Sequence, residues 1–136
     1  MTGLLNIFNQ AMDRLAAAYG MTPLEFAVFR AFIRKDGWSP TALASELSLP
    51  VYRVSRKLSK LADRGLLVRR RRNGDRRVVT LKLSDRGKAL ALQVDESVRE
   101  AEATLSDGIS ANEMEVFASV SSRVMANYAA MEESWT

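Results

Sequence analysis

Leu4, Phe8, Met12, Leu15 and Tyr19 return at spacings of four, four, three and four, which is one stripe on a helix over residues 3–19. Gly20 closes it. Thr22-Pro23-Leu24-Glu25 opens the next helix, with Thr22 as N-cap, Glu25 as its reciprocal partner, and Pro23 where a missing N–H costs nothing. That helix, to about Arg34, holds Leu24, Phe26, Val28, Phe29, Phe32 and Ile33, a density that puts it in the core. Ser39-Pro40 repeats the cap-and-proline start for a short helix, and Ser48-Leu49-Pro50 interrupts the chain. A further helix runs from about Val51 to Arg64 with Val54, Leu58 and Leu61 on its apolar side. Tyr52, Arg53, Arg56, Lys57 and Lys60 fall off that side, toward solvent, and Gly65 supplies the stop.

The period then changes from helical to alternating. "LLVRRR" and "RVVTLKL" flank Arg72-Asn73-Gly74-Asp75, and Asn-Gly between such runs signals a tight hairpin. Val79, Leu81 and Leu83 share one face of the second strand; Val78, Thr80 and Lys82 share the other. Ser84 caps a long helix to about Ser106, striped by Leu90, Val94, Val98, Ala101 and Leu105. Ser110 with Glu113 forms another capping box, opening a last helix with Phe117, Val120, Val124, Tyr128 and Met131. With no repeat and no low-complexity linker, the expectation is a single domain over 1–136, mainly α with one two-stranded sheet (α+β). Residues 22–83 form its central lobe, and 1–19 and 84–136 its outer helices.

Charge sharpens this outline. Residues 1–50 hold four basic and four acidic side chains, residues 51–83 twelve and two, and residues 84–136 four and ten, giving net charges of 0, +10 and −6. Such a concentration of cations predicts a local polyanion-binding surface, with the acidic segment turned away from it. There are no cysteines and no histidines, which removes disulfides, thiol chemistry, imidazole bases and the commonest metal ligands. The carboxylates are scattered and no phosphate-binding glycine loop occurs, so the expectation is neither an enzyme nor a cofactor protein. No apolar run is long enough for a membrane span, and the N-terminus lacks the pattern of a signal peptide, which predicts a cytoplasmic chain.

A short helix, a three-residue break, a basic helix and a basic hairpin have the physics of a winged helix-turn-helix. The second helix would enter a major groove, and the hairpin would reach backbone or minor groove beside it. The alternative is a winged-helix protein-interaction module whose basic face meets an acidic partner. Salt dependence and sequence preference separate the two.

Residues 39–90 resemble the MarR family of bacterial winged-helix transcriptional regulators. The resemblance rests on "LADRGLL" at the helix end, Asp75-x-Arg77 in the wing and "LSDRG" at the start of the next helix. The wing tip departs from the family pattern, reading "RNGD" where a further acidic residue and proline often stand before the Asp. The resemblance implies a homodimer joined through the terminal helices, bound to double-stranded DNA at a palindromic operator. It also implies a repressor released by a small-molecule effector and associated with the bacterial nucleoid. It places Val51, Tyr52, Arg53, Ser55 and Arg56 at bases and phosphates of the major groove, with Ser39 and Thr41 near backbone phosphates. Arg53 and Arg56 are also singled out by position alone, being basic and off the apolar stripe. Lys60 and Arg71 extend the expected DNA surface. Met12, Leu15, Tyr19 and Trp38 are the residues expected near an effector cleft.

The wing itself carries one specific expectation. Asp75 and Arg77, two apart on a regular strand, would point to the same face. Asp75 could then brace the Arg77 guanidinium for insertion into a narrow, electronegative minor groove.

Overall fold

The computed structural model describes residues 2–72 and 75–135, and the side chains of these except 2, 5, 71, 72 and 75–78. Their order is α1 (Thr2–Ala18), α2 (Pro23–Arg34), α3 (Pro40–Glu46), α4 (Val51–Asp63), β1 (Leu67–Arg72), β2 (Asp75–Leu83), α5 (Asp85–Leu105) and α6 (Ala111–Trp135). The chain divides into two compact units, 1–99 and 100–136, the boundary falling inside α5.

In the first unit the helix starts follow the expected chemistry. The Glu25 N–H donates to Thr22 Oγ1 at 3.2 Å while the Thr22 N–H donates to Glu25 Oε2 at 3.3 Å, closing the capping box of α2. The Ala42 N–H donates to Ser39 Oγ at 3.1 Å at the start of α3. α2 is the central helix: Phe26, Val28, Phe29, Ala31 and Phe32 are buried, and they meet Leu43 and Ala44 of α3 and Val54, Leu58 and Leu61 of α4. Leu66, Leu67, Leu81 and Leu83 close the core from the strands, and Ala91, Val94 and Val98 from α5.

α3 ends in a paired-bond stop. The Leu49 N–H donates to the Ala44 carbonyl at 2.9 Å and the Ser48 N–H to the Ser45 carbonyl at 3.2 Å. Ser48 holds the left-handed position of this stop, φ 51°, where an L side chain is strained. Ser48 is exposed and lies between the two helices of the helix-turn-helix. Ser48→Gly is therefore expected to stabilise the protein by about 0.5–1 kcal/mol in urea unfolding, without altering the turn. A loss of stability would mean that the Ser48 side chain holds the turn.

β1 and β2 pair antiparallel from Leu67↔Leu83 to Arg71↔Val79, and then step to Arg72↔Asp75. Arg76, Arg77 and Val78 thus lie between two paired positions of β2, while their partners Arg71 and Arg72 are adjacent. The regular alternation on which the Asp75–Arg77 expectation rests is interrupted there. The Asn73-Gly74 turn lies outside the described residues. Trp38 adds a one-residue third rung: its N–H donates to the Leu81 carbonyl at 3.0 Å, and the Leu81 N–H to its carbonyl at 2.8 Å.

The second unit holds the end of α5 and all of α6. Ser110 and Glu113 form the expected box: the Ser110 N–H donates to Glu113 Oε2 at 2.8 Å and the Glu113 N–H to Ser110 Oγ at 3.2 Å. These two Ser110 bonds hold the Glu113 carboxyl below the ordinary carboxylate range. α6 buries none of its described residues, and its apolar side chains stand in solvent.

Candidate nucleic-acid interface

α4 is the most sharply two-faced element of the first unit. Val54, Leu58 and Leu61 are buried, and at 3.6 residues per turn Tyr52 and Arg56 project from the opposite side. Tyr52, Arg53 and Arg56 are exposed, Val51 is 43% exposed at the first helical position, and Ser55 is half-buried. Pro50 precedes the helix and offers no side-chain cap, leaving the first turn open. Arg53 and Arg56 therefore stand free on the face expected of them. Thr41 is exposed on α3, while the Ser39 hydroxyl is already engaged as the α3 cap.

The lysines differ from the arginines. Lys57 was expected to face solvent, but it is turned inward, its side chain only 23% exposed. Its Nζ lies 3.7 Å from Glu25 Oε1. Lys60 Nζ lies at the same 3.7 Å from that carboxylate oxygen with a largely exposed stem. Among the described residues Glu25 is the one buried charged side chain, and its carboxylate serves both the α2 cap and these two cations. On the wing, Arg69 and Arg70 are exposed, and Thr80 Oγ1 donates to the Arg70 carbonyl at 3.3 Å. The side chains of Arg71, Asp75 and Arg77 lie outside the described residues, and so does the expected brace.

Three of the four residues expected near an effector lie together, half-buried against the core: Met12 and Leu15 on α1, and Tyr19 just past its end. Arg30 Nη1 donates to Met12 Sδ at 3.5 Å. The Tyr19 ring stacks on Phe26 with centroids 6.5 Å apart. Its hydroxyl donates to the Gln93 carbonyl at 3.0 Å and lies 2.6 Å from the Ser97 hydroxyl. Trp38 belongs to another set of contacts. It is buried, its indole N–H donates to the Ala31 carbonyl at 3.2 Å, and Lys35 Nζ sits 4.6 Å above its ring.

The sequence model of the MarR family matches residues 19–78, the span from the end of α1 through the helix-turn-helix and into the wing. Over those residues the chain is similar to the MarR family. The match agrees with the resemblance carried by the motifs in 39–90. Solved MarR structures share the fold. A MarR transcriptional regulator from Methanosarcina mazei Go1 superposes with a TM-score of 0.77 at 21% identity, over 94% of this chain and 93% of its own. A MarR-family regulator from Silicibacter pomeroyi gives 0.77 at 21%, over 93% and 86%. A cysteine-to-serine mutant of MarR from E. coli, complexed with operator DNA, gives 0.73 at 24%, over 90% and 91%. No curated protein matches the chain.

Several residues that organise the site in this MarR-like chain carry little signal in the sequence. Arg64, counted among the basic residues, donates from Nη1 to the Gly20 carbonyl at 3.1 Å and from Nη2 to the Tyr19 carbonyl at 2.9 Å. It ties the end of α4 to the end of α1 and is not free for a polyanion. Asp36 Oδ1 accepts from the Leu83 N–H at 3.0 Å, anchoring the base of the wing to the α2–α3 loop. Gly87 explains part of the "LSDRG" motif. Its N–H donates to Ser84 Oγ at 3.0 Å, and a Cβ on it would collide with the Leu66 carbonyl oxygen. Only Ser84, as a cap, was legible in advance.

Proposed function

We propose that this chain is a MarR-family regulator acting as a homodimeric repressor, each protomer laying α4 into the major groove of a two-fold symmetric operator. The observation that carries the reading is the outward pair Arg53 and Arg56 on a helix whose other face is locked into the core, followed at once by the exposed Arg69 and Arg70 of the wing. The operator DNA in the E. coli MarR complex, a protein of the same fold, supports it. In this reading residues 1–136 act as one MarR-like domain, with 22–83 as the DNA-binding lobe and the terminal helices joining two copies. Val51, Tyr52, Arg53, Ser55, Arg56 and Lys60 face the groove and its phosphates, with Ser39 and Thr41 beside the backbone. A small ligand that prised the Tyr19 hydroxyl from Gln93 and Ser97 would loosen α1 against α5 and so favour release. The proposed setting is the cytoplasm, on the nucleoid. Among the described residues no helix is long and apolar enough to cross a membrane.

Selection of bound duplexes from random DNA tests the reading. A two-fold symmetric consensus, retained in excess competitor, is the expected outcome; salt-sensitive retention without sequence preference would point to the protein-interaction alternative. The log K against log salt slope is expected on the order of −5 to −10, from several phosphate contacts per protomer.

Two arginines separate the binding role from the structural one. Arg56→Ala is expected to cost about 1–3 kcal/mol of operator binding and to relax one half-site position, leaving urea stability within about 0.5 kcal/mol. Arg64→Ala should do the reverse, costing about 1–2 kcal/mol of stability through its two lost carbonyl contacts. Equal weakening on all sequences by Arg56→Ala would make Arg56 a phosphate contact.

The wing proposal is kept for Arg77, with Arg71 in a phosphate-contacting role. Arg77→Ala is expected to weaken operator binding more than Arg71→Ala, and Asp75→Ala to lose part of the same energy although it removes a negative charge. Tighter binding by Asp75→Ala in a titration would show diffuse attraction alone.

A further inference from the structure

We propose that Tyr52 reads the 5-methyl group of a thymine in the major groove, one or two base pairs from the base met by Arg56. This rests on the DNA-binding reading above and specifies what the site recognises.

Tyr52 is 66% exposed, and it projects directly away from Val54, Leu58 and Leu61. A large aromatic ring left in water at the N-terminal end of a cationic face forgoes the burial that such rings ordinarily gain. Its surroundings name the class of occupant. Arg53, Arg56 and Lys60 share the exposed part of the helix, and Arg69 and Arg70 follow on β1. A predominantly apolar partner would leave those cations buried without counter-charges, whereas a nucleic acid duplex supplies phosphates for them.

The duplex offers little to an apolar ring. Base edges in the major groove are donors and acceptors, except for the thymine methyl, which is the apolar feature distinguishing one base pair from another there. Arg56, four residues on, has the geometry for paired hydrogen bonds to guanine; a phenol ring does not. Residues four apart on a helix lie about 5–6 Å from one another, so the two side chains fall within one or two base-pair steps. Asp63 fixes which end of α4 enters. It is exposed on the same side at the far end of the helix, where an acidic group is repelled by phosphates, so the Tyr52–Arg56 half points inward.

The experiment replaces each thymine of the selected operator, in turn, by deoxyuridine, which removes only the methyl. One thymine per half-site is expected to be sensitive, with affinity falling about fourfold for each methyl removed, the worth of one buried carbon. Tyr52→Ala should bind the thymine and uracil duplexes equally. Tyr52→Phe, which keeps the ring, should retain the discrimination. Uracil tolerated everywhere by the unaltered protein overturns the proposal while leaving operator binding intact. Discrimination that survives Tyr52→Ala, or is lost equally in Tyr52→Phe, also overturns it; the latter assigns the contact to the hydroxyl. Failure to select any duplex removes the DNA-binding reading itself, and this proposal with it.

Discussion

Val120→Glu combined with Val124→Glu is expected to turn the protein into a soluble monomer and to lower its operator affinity on the order of a hundredfold. The expectation comes from α6. Phe117, Val120, Val124, Tyr128, Met131 and Trp135 recur at helical spacing along one side of that helix, and their exposures run from 41% to 72%. Soluble monomers seldom present so long an apolar patch. Burying a side chain of this kind is worth about 1.5–3 kcal/mol, so covering the stripe with its copy is worth on the order of 10 kcal/mol before the cost of association. On α1, Leu4, Ile7 and Phe8 are exposed as well. An isologous contact places each residue of the stripe near its own counterpart, so the two substitutions set four carboxylates in one apolar seam. DNA affinity should follow, because the second half-site is then no longer bound as an intramolecular event. α6 buries none of its described residues, so the helix should survive, with circular dichroism unchanged. Sedimentation at low micromolar concentration decides the matter: an unaltered protein that runs as a soluble monomer ends the dimer model.

The second large effect is expected from a single methyl group. Gly87→Ala should destabilise the first unit by about 3 kcal/mol or more, enough to leave little soluble protein. Gly87 sits in the first turn of α5, and the Cβ it lacks would fall on the Leu66 carbonyl oxygen and press on Leu83 Cδ2 at 3.2 Å. The obstacle cannot step aside. That carbonyl accepts from the Ser84 N–H at 3.0 Å, the Ser84 hydroxyl donates to the Gly65 carbonyl, and the Gly87 N–H closes the set on Ser84 Oγ. Moving Leu66 would break these bonds and disturb the stop of α4, where the Leu66 N–H donates to the Leu61 carbonyl at 3.0 Å. Gly3→Ala is the control. Nothing lies within 4 Å of its added methyl, and alanine in a helix should be neutral or stabilising by up to about 1 kcal/mol. Equal urea midpoints for the two variants would show that the corner is looser than its geometry implies.

Much of this protein is determined by its sequence, because the signals are local. Apolar residues at intervals of three and four, the Thr22–Glu25 and Ser110–Glu113 boxes and the proline-led helix starts depend on groups within one turn of each other. The elements accordingly match the expectation to within a few residues. The outward position of Arg53 and Arg56 follows from the same periodicity, because a helix with one buried stripe leaves only one place for what remains. The resemblance to the MarR family was legible for a related reason: "LADRGLL" and "LSDRG" are the paired halves of one corner, at the end of α4 and the start of α5.

Tertiary structure alone decided which charges are free and where the strands depart from regularity. Arg56 on α4 and Arg64 at its C-cap are the same residue type, yet Arg64 is spent on carbonyls of Tyr19 and Gly20, more than forty positions earlier. Lys57 likewise turns toward Glu25, contrary to its expected exposure, because a buried carboxylate draws in cations that helical periodicity would send to solvent. The Trp38 rung on β2 and the register step between Arg71 and Arg72 depend on how distant segments meet across the sheet. A charge pattern counts cations along the chain, but a carbonyl or carboxylate brought near by folding determines which of them remain available to DNA.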